Sequence, residues 1–195
     1  MARRGRSLGA DGESPRTGLP DDETANPHAD PDSIARSICL RLLTVRSRTR
    51  SELADELQAR YVPADAAERV LRRFTEVGLV DDAAFAATFV SSRRLQRGLS
   101  GREIARQLRT KGVQDSVVSA AVTGIDPDSE RHAAEQLVRR KLRSMANVDQ
   151  AAQIRRLVGM LARKGYSQTM AYQVVRDTLL DGDSGAESDD TAWLA

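Results

Sequence analysis

Residues 49–60 read T-R-S-E-L-A-D-E-L-Q-A-R, and residues 100–111, 51 positions farther along, read S-G-R-E-I-A-R-Q-L-R-T-K. Each run opens on a hydroxyl residue with glutamate three places later, Thr49 with Glu52 and Ser100 with Glu103. That is a capping box, in which the two side chains satisfy the free amides at a helix start. Each run then carries apolar residues four apart, Leu53/Leu57 and Ile104/Leu108, which share one face of a helix. A further shift of 53 brings Leu157 and Leu161 to the same places. The same two offsets relate Ile34, Phe85 and Val138, then Ile38, Phe89 and Leu142. They also relate Val62, Val113 and Tyr166, then Val70, Ala121 and Val174, then Leu71, Val122 and Val175. A fixed period of about 50 residues marks a repeat architecture.

Each unit reads as three helices. The first carries Ile34/Ile38, Phe85/Phe89 or Val138/Leu142, and the second follows the box. The third is marked by Val70/Leu71/Phe74, Val117/Val118/Ala121 or Met170/Val174/Val175. The last unit lacks the box, and Asn147 with Gln150 is the candidate cap of a longer second helix there. Asp126-Pro127 reads as the N-cap and first residue of the seventh helix, and Asp81 or Asp82 as the cap of the fourth. A three-helix unit of about 45 residues is near the lower limit for folding alone, so neighbours are expected to stack. The fold expected is all-α, with three tandem three-helix repeats in an elongated, curved array. A single compact helical domain is the competing architecture.

Composition agrees. Of 195 residues 40% are hydrophobic, only 4% aromatic, and 27 are alanine, a balance that favours helix over sheet. No apolar run approaches the roughly 20 residues of a membrane span, and no apolar segment follows the Arg-rich start as a secretory signal requires. The single cysteine, Cys39, excludes an intrachain disulfide framework and a Cys-cluster zinc site. A soluble, cytoplasmic protein is expected.

The net charge of +2 conceals a division. Residues 1–32 carry −3 and residues 181–195 carry −5, while residues 33–180 carry +10. Both ends lack apolar surface and are expected to be disordered tails. The boundaries expected are therefore tail 1–32, repeats 33–80, 81–125 and 126–180, and acidic tail 181–195. A basic body between acidic ends suggests an anionic partner or an acidic protein surface.

No constellation for catalysis emerges. His28 and His132 stand outside any metal-ligand spacing, and Cys39 in the apolar run I-C-L reads as a buried, inert thiol. No phosphate loop is present, and Gly98/Gly101 lacks the preceding strand of a dinucleotide site. The Asp81-Asp82 pair is explained better by capping than by a cation. Neither enzyme activity nor a cofactor is expected. The basic residues are better organised, although 27 of the 30 are arginine, which with the alanine richness points to a coding bias. Arg60, Lys111 and Lys164 occupy equivalent second-helix ends, where cations also offset the helix macrodipole. Further clusters are Arg46/Arg48/Arg50, Arg93/Arg94/Arg97, Arg139/Arg140/Lys141/Arg143 and Arg155/Arg156 with Arg163/Lys164. Arg102, Arg106, Arg109 and Lys111 form a basic stripe in the middle unit. These are the candidate partner-contacting residues, except Arg60 and the Arg46/Arg48/Arg50 cluster.

Residues 78–113 read G-L-V-D-D-A-A-F-A-A-T-F-V-S-S-R-R-L-Q-R-G-L-S-G-R-E-I-A-R-Q-L-R-T-K-G-V. The Gly-hydrophobic-x-Asp-Asp-x-x-Phe-Ala run, the Arg-Gly with its Ser/Gly spacer and the Ile-x-x-x-Leu-x-x-Lys-Gly-Val end resemble the RecX family of regulatory proteins. L-R-L-L-T-V-R-S-R-T-R-S-E-L at 40–53 and R-K-G-Y at 163–166 extend the resemblance over about residues 33–180. It implies tandem three-helix repeats and a non-enzymatic modulator, usually an inhibitor, of RecA recombinase. It implies binding in the groove of the RecA–DNA filament, with restraint of strand exchange, ATP hydrolysis and the co-protease role that drives the SOS response. Direct contact with DNA is open, and a monomer is expected. One departure stands out. The first unit reads Arg60-Tyr61-Val62 where the others have Lys-Gly, and because Tyr tolerates a left-handed conformation poorly that turn is expected to differ in shape.

The alternative is a helical DNA-binding transcription regulator of winged-helix type, since S-E-L-A-D-E-L and E-R-V-L-R-R-F-T-E-V-G-L-V resemble its opening helices. It needs two β-branched strands next, and D-D-A-A-F-A-A-T-F is helical instead. A plain scaffold is a third class, and a phosphoryl-transfer enzyme the least supported.

Overall fold

A computed structural model describes residues 30–186. Among them are nine helices and no strand: α1 Pro31–Val45, α2 Arg50–Ala59, α3 Ala64–Glu76, α4 Asp82–Arg97, α5 Gly101–Thr110, α6 Asp115–Thr123, α7 Pro127–Leu142, α8 Gln150–Arg163 and α9 Gln168–Ala186. The residues that a wing would need as strands form α4, which removes the winged-helix reading. Helix α9 continues past residue 180, and the remainder of the C-terminal tail and residues 1–29 of the N-terminal one lie outside the described residues.

The helices pack in consecutive triplets, each around its own apolar cluster. The second-helix anchors are wholly buried in all three: Leu53/Leu57, Ile104/Leu108 and Leu157/Leu161. The first-helix anchors need correction. Ile34 is exposed and Phe85 and Phe89 only half-buried, while the innermost pairs are Ala35/Cys39, Ala86/Val90 and Ala134/Val138. The third first-helix therefore sits at an offset of 48 from the second, not 53. The difference is taken up by the longer α7–α8 connection and the longer α8. Small residues on that face let the first helix approach closely, so the larger anchors flank the contact.

The caps follow the local chemistry. Thr49 completes its box, its hydroxyl accepting from the Glu52 amide at 3.1 Å while its own amide donates to Glu52 at 3.2 Å. Ser100 accepts from the Glu103 amide, but its own amide donates to the Lys164 carbonyl at 3.0 Å. Asp81 caps α4. Asp82 instead accepts from the Arg50 amide at 2.9 Å, tying the start of α2 to the next triplet. Asp126 caps α7 with Pro127 behind it. Helix α8 is capped by Asp149 rather than Asn147, its carboxylate accepting from the amides of Ala151 and Ala152.

The turn after α2 also differs from expectation. Tyr61 has φ +59, beside +73 at Gly112 and +90 at Gly165. Its amide donates to Gln58 and that of Val62 to Leu57, the pattern made by Gly112/Val113 and Gly165/Tyr166. The three turns therefore share one shape. Tyr61 adopts it at a cost of about 1–2 kcal/mol, and its side chain, 95% exposed, meets no neighbouring repeat.

Candidate partner-binding surface

Charged side chains are distributed around two joints between triplets. At the first, the Thr49 hydroxyl donates to the Lys111 carbonyl at 2.7 Å, and the Lys111 ammonium donates to Glu52 at 2.7 Å. At the second, the Ser100 amide meets the Lys164 carbonyl, and the Tyr166 hydroxyl donates to the Gly98 carbonyl at 3.2 Å. The start of one second helix thus sits on the end of the next. The glycine of each Lys-Gly turn permits this. A Cβ at Gly112 would lie 2.1 Å from Ser51 Oγ, and one at Gly165 would lie 2.4 Å from Glu103 Cβ.

The equivalent lysines differ electrically. Lys111 is paired with Glu52 and lies 5.8 and 6.0 Å from the ring centres of Phe85 and Phe89. Burial pushes the Glu52 carboxyl up, but hydrogen bonds from Lys111, Arg46 and the Thr49 amide outweigh it and hold the group below the ordinary range. Lys164 has no carboxylate partner among the described residues, and its ammonium donates to the Arg97 carbonyl. Burial, with Arg140 and Arg97 nearby, lowers its pKa. Glu103, which occupies the place of Glu52, turns away to Arg106 in a bidentate pair at 2.7 and 2.8 Å and is held at about 2 mainly by that pair.

Pairing falls off along the chain. In the first triplet, Arg46, Arg48, Arg50, Arg60, Arg69 and Arg73 each meet a carboxylate, and among the described residues Arg36, Arg41 and Arg72 make no ion pair. On the stripe, Arg106 pairs with Glu103, Arg109 with Asp115 at 2.6 Å and Lys111 with Glu52, and Arg102 is exposed without a carboxylate among the described residues. Exposed pairs are worth about 0–1 kcal/mol each, so Arg106 and Arg109 are only lightly committed, whereas the Lys111–Glu52 pair is half-buried. In the third triplet Arg139 reaches Asp181 at 4.0 Å. Arg140, Lys141, Arg143, Arg155, Arg156 and Arg163 are exposed with no carboxylate in reach among the described residues. They occupy the last turn and C-cap of α7 and the outer face and end of α8.

The clusters on α4 divide. Arg93 stacks over Phe89 at 4.6 Å, with its Nε buried and lacking an acceptor. With Arg106 and Lys111 it lines one cleft, which Glu52 and Asp55 border. Arg94 donates to the Ser129 hydroxyl at 2.5 Å, and the Arg97 carbonyl accepts from Lys164 at the second joint. Sequence reading missed Phe89 as part of the lining of that cleft, having placed it with Phe85 in the core. The signal was the run Phe85, Phe89, Arg93 at successive helical turns. No group of His, Cys, Asp or Glu that could hold a metal occurs among the described residues, and none of their helices is long and apolar enough to cross a membrane.

Three family models match in order: RecX, first three-helix domain, over residues 35–74; second, over 81–122; and third, over 128–175. A regulatory protein RecX of Streptomyces lividans is 50% identical over 172 residues, covering 88% of this chain and 89% of that protein. One from Mycobacterium ulcerans (strain Agy99) is 56% identical over 142 residues, 72% of this chain and 82% of its own. The crystal structure of RecX from Lactobacillus salivarius shares the fold, with a TM-score of 0.70 at 18% identity over 77% of this chain and 98% of that one. A crystal structure of a second regulatory protein RecX gives a TM-score of 0.66 at 26% identity, covering 76% and 72%.

Proposed function

The chain belongs to the RecX family of regulatory proteins, and on that premise we propose that it binds RecA recombinase and the filament RecA forms on DNA. It acts there as a cytoplasmic, monomeric, non-enzymatic modulator that inhibits strand exchange, RecA ATPase and co-protease activity, and so regulates DNA repair and the SOS response. The observation that carries the reading is the set of exposed cations Arg140, Lys141, Arg143, Arg155, Arg156 and Arg163, which have no carboxylate in reach among the described residues. Exposed guanidinium groups that meet no carboxylate among the described residues are donors available for phosphates or acidic side chains. Arg155 and Arg156 stand where the middle repeat has Arg102 and Glu103, so the third repeat presents a second cation in place of the acid that ties down Arg106.

The test is inhibition of filament ATPase by the purified protein across a salt series. Inhibition is expected to weaken as salt rises, because cations that contact phosphates release counterions on binding. Arg155→Glu with Arg156→Glu is expected to weaken it at every salt, provided helicity and melting are unchanged. A protein that leaves RecA unaffected at all salt concentrations would end this reading.

A further inference from the structure

We propose that the chain's own acidic C-terminal segment, residues 181–190, is an internal ligand of the cationic end of α7, lying over Arg139, Arg140, Lys141 and Arg143. The segment holds Asp181, Asp183, Glu187, Asp189 and Asp190, and no base occurs from residue 181 to 195. Its first member is already in place, with the Asp181 carboxylate 4.0 Å from Arg139. Two turns earlier on α7, Arg131 pairs with Asp177 at 2.7 Å. The two contacts advance in the same direction on both helices, so α9 carries the chain toward the C-terminal end of α7.

The distances suit the contact. From Asp181 to Ala186 the helix rises about 7–8 Å, and from Arg139 to Arg143 about 6 Å. The end of α9 at Ala186 therefore lies about level with Arg143. The four residues 187–190 then span up to about 14 Å when extended, enough to return along the last turn of α7. Arg140, Lys141 and Arg143 are exposed and have no carboxylate in reach among the described residues, so the surface is open to one. The N-terminal acidic segment is the weaker competitor. It contains four arginines, and Asp32 at its end is held by Arg69 of the first triplet at 2.6 Å.

A tether this short gives an effective concentration on the order of millimolar. A contact that would be only millimolar between separate molecules is thus occupied about half the time or more, without tight binding. Docking by charge is screened by salt, since the Debye length falls from about 10 Å at 0.1 M to about 3 Å at 1 M.

Trp193 is the only tryptophan of the chain, so the full-length protein carries its own reporter in the tail. Its fluorescence anisotropy at low salt is expected to exceed that of a free peptide of residues 181–195, and to fall toward the peptide value as salt is raised. Arg140→Gln, Lys141→Gln and Arg143→Gln together should produce the same fall at low salt. So should Asp183→Asn, Glu187→Gln, Asp189→Asn and Asp190→Asn, provided the melting of the bundle is unchanged. An anisotropy equal to the peptide's at low salt overturns the proposal. A high anisotropy that neither salt nor either set of substitutions lowers overturns it too, because the tail would then be held by apolar contact. The readout contains no RecA, so it stands or falls separately from the proposed function.

Discussion

Three glycines in one backbone region separate the cost of conformation from the cost of crowding. Gly78, Gly112 and Gly165 have φ of +73, +73 and +90. A Cβ at Gly78 meets nothing within 4 Å, so Gly78→Ala carries the left-handed penalty alone, about 1–2 kcal/mol. At Gly112 the same atom would lie 2.2 Å from Ser51 Cβ, and at Gly165 it would lie 2.4 Å from Glu103 Cβ and 3.1 Å from the Glu103 amide nitrogen. Those neighbours are fixed to the backbone of α2 and α5, so a whole helix must shift. Overpacking adds about 1–3 kcal/mol, and each joint hydrogen bond lost, such as Ser100 to Lys164, adds about 0.5–1.5 kcal/mol. Gly112→Ala and Gly165→Ala should therefore cost about 3–5 kcal/mol. Urea unfolding followed by helical circular dichroism measures this. At a slope of about 2 kcal/mol/M the midpoint falls by about 1.5 M or more, against less than about 1 M for Gly78→Ala. Because stability of a repeat array is a sum of units and interfaces, the joint variants should also unfold over a broader range. Equal midpoints for Gly165→Ala, Gly112→Ala and Gly78→Ala would refute the close approach of the repeats.

Further outcomes follow from the same contacts. Cys39 is fully buried and burial pushes its thiol up to about 11, so a thiol reagent near neutral pH should label it only after unfolding; fast labelling of the native protein would contradict that burial. Glu103 is held at about 2 and Glu52 below its ordinary value, so their contribution is complete above the usual carboxylate range and is lost as pH falls through the depressed values. Glu52→Gln should flatten part of that acid loss, and an unchanged pH profile would show that the Lys111 pair contributes nothing. Tyr61→Gly relieves the left-handed strain but loosens the unfolded chain, so its stability should stay within about 1 kcal/mol of wild type; a large loss would mean that Tyr61 has a packing role. Arg155→Glu with Arg156→Glu should impair filament inhibition more than Arg102→Glu alone, compared by the protein concentration giving half-inhibition; the reverse order would move the contact surface to α5.

Local regularity was legible in the sequence because it is governed by neighbours a few residues apart. The anchors Leu53/Leu57, Ile104/Leu108 and Leu157/Leu161 mark helix faces, and all are wholly buried. Thr49 with Glu52, and Asp126 with Pro127, mark helix starts for the same local reason. The repeat and the family resemblance followed from such marks recurring at fixed intervals. What the tertiary structure decided lies between repeats. Lys111 and Lys164 occupy equivalent places, yet among the described residues one meets Glu52 across 59 positions of chain while the other meets a backbone carbonyl and no carboxylate. No spacing rule distinguishes them, because the partner of a long side chain is chosen by how two bundles seat against each other. The same holds for Tyr61. Its propensity argued for a different turn, but its turn has the shape of the two glycine turns, which must also admit a preceding helix, and it has no such helix to admit. The close joint decides where glycine is required, while helical hydrogen bonding alone sets the shape of the turn.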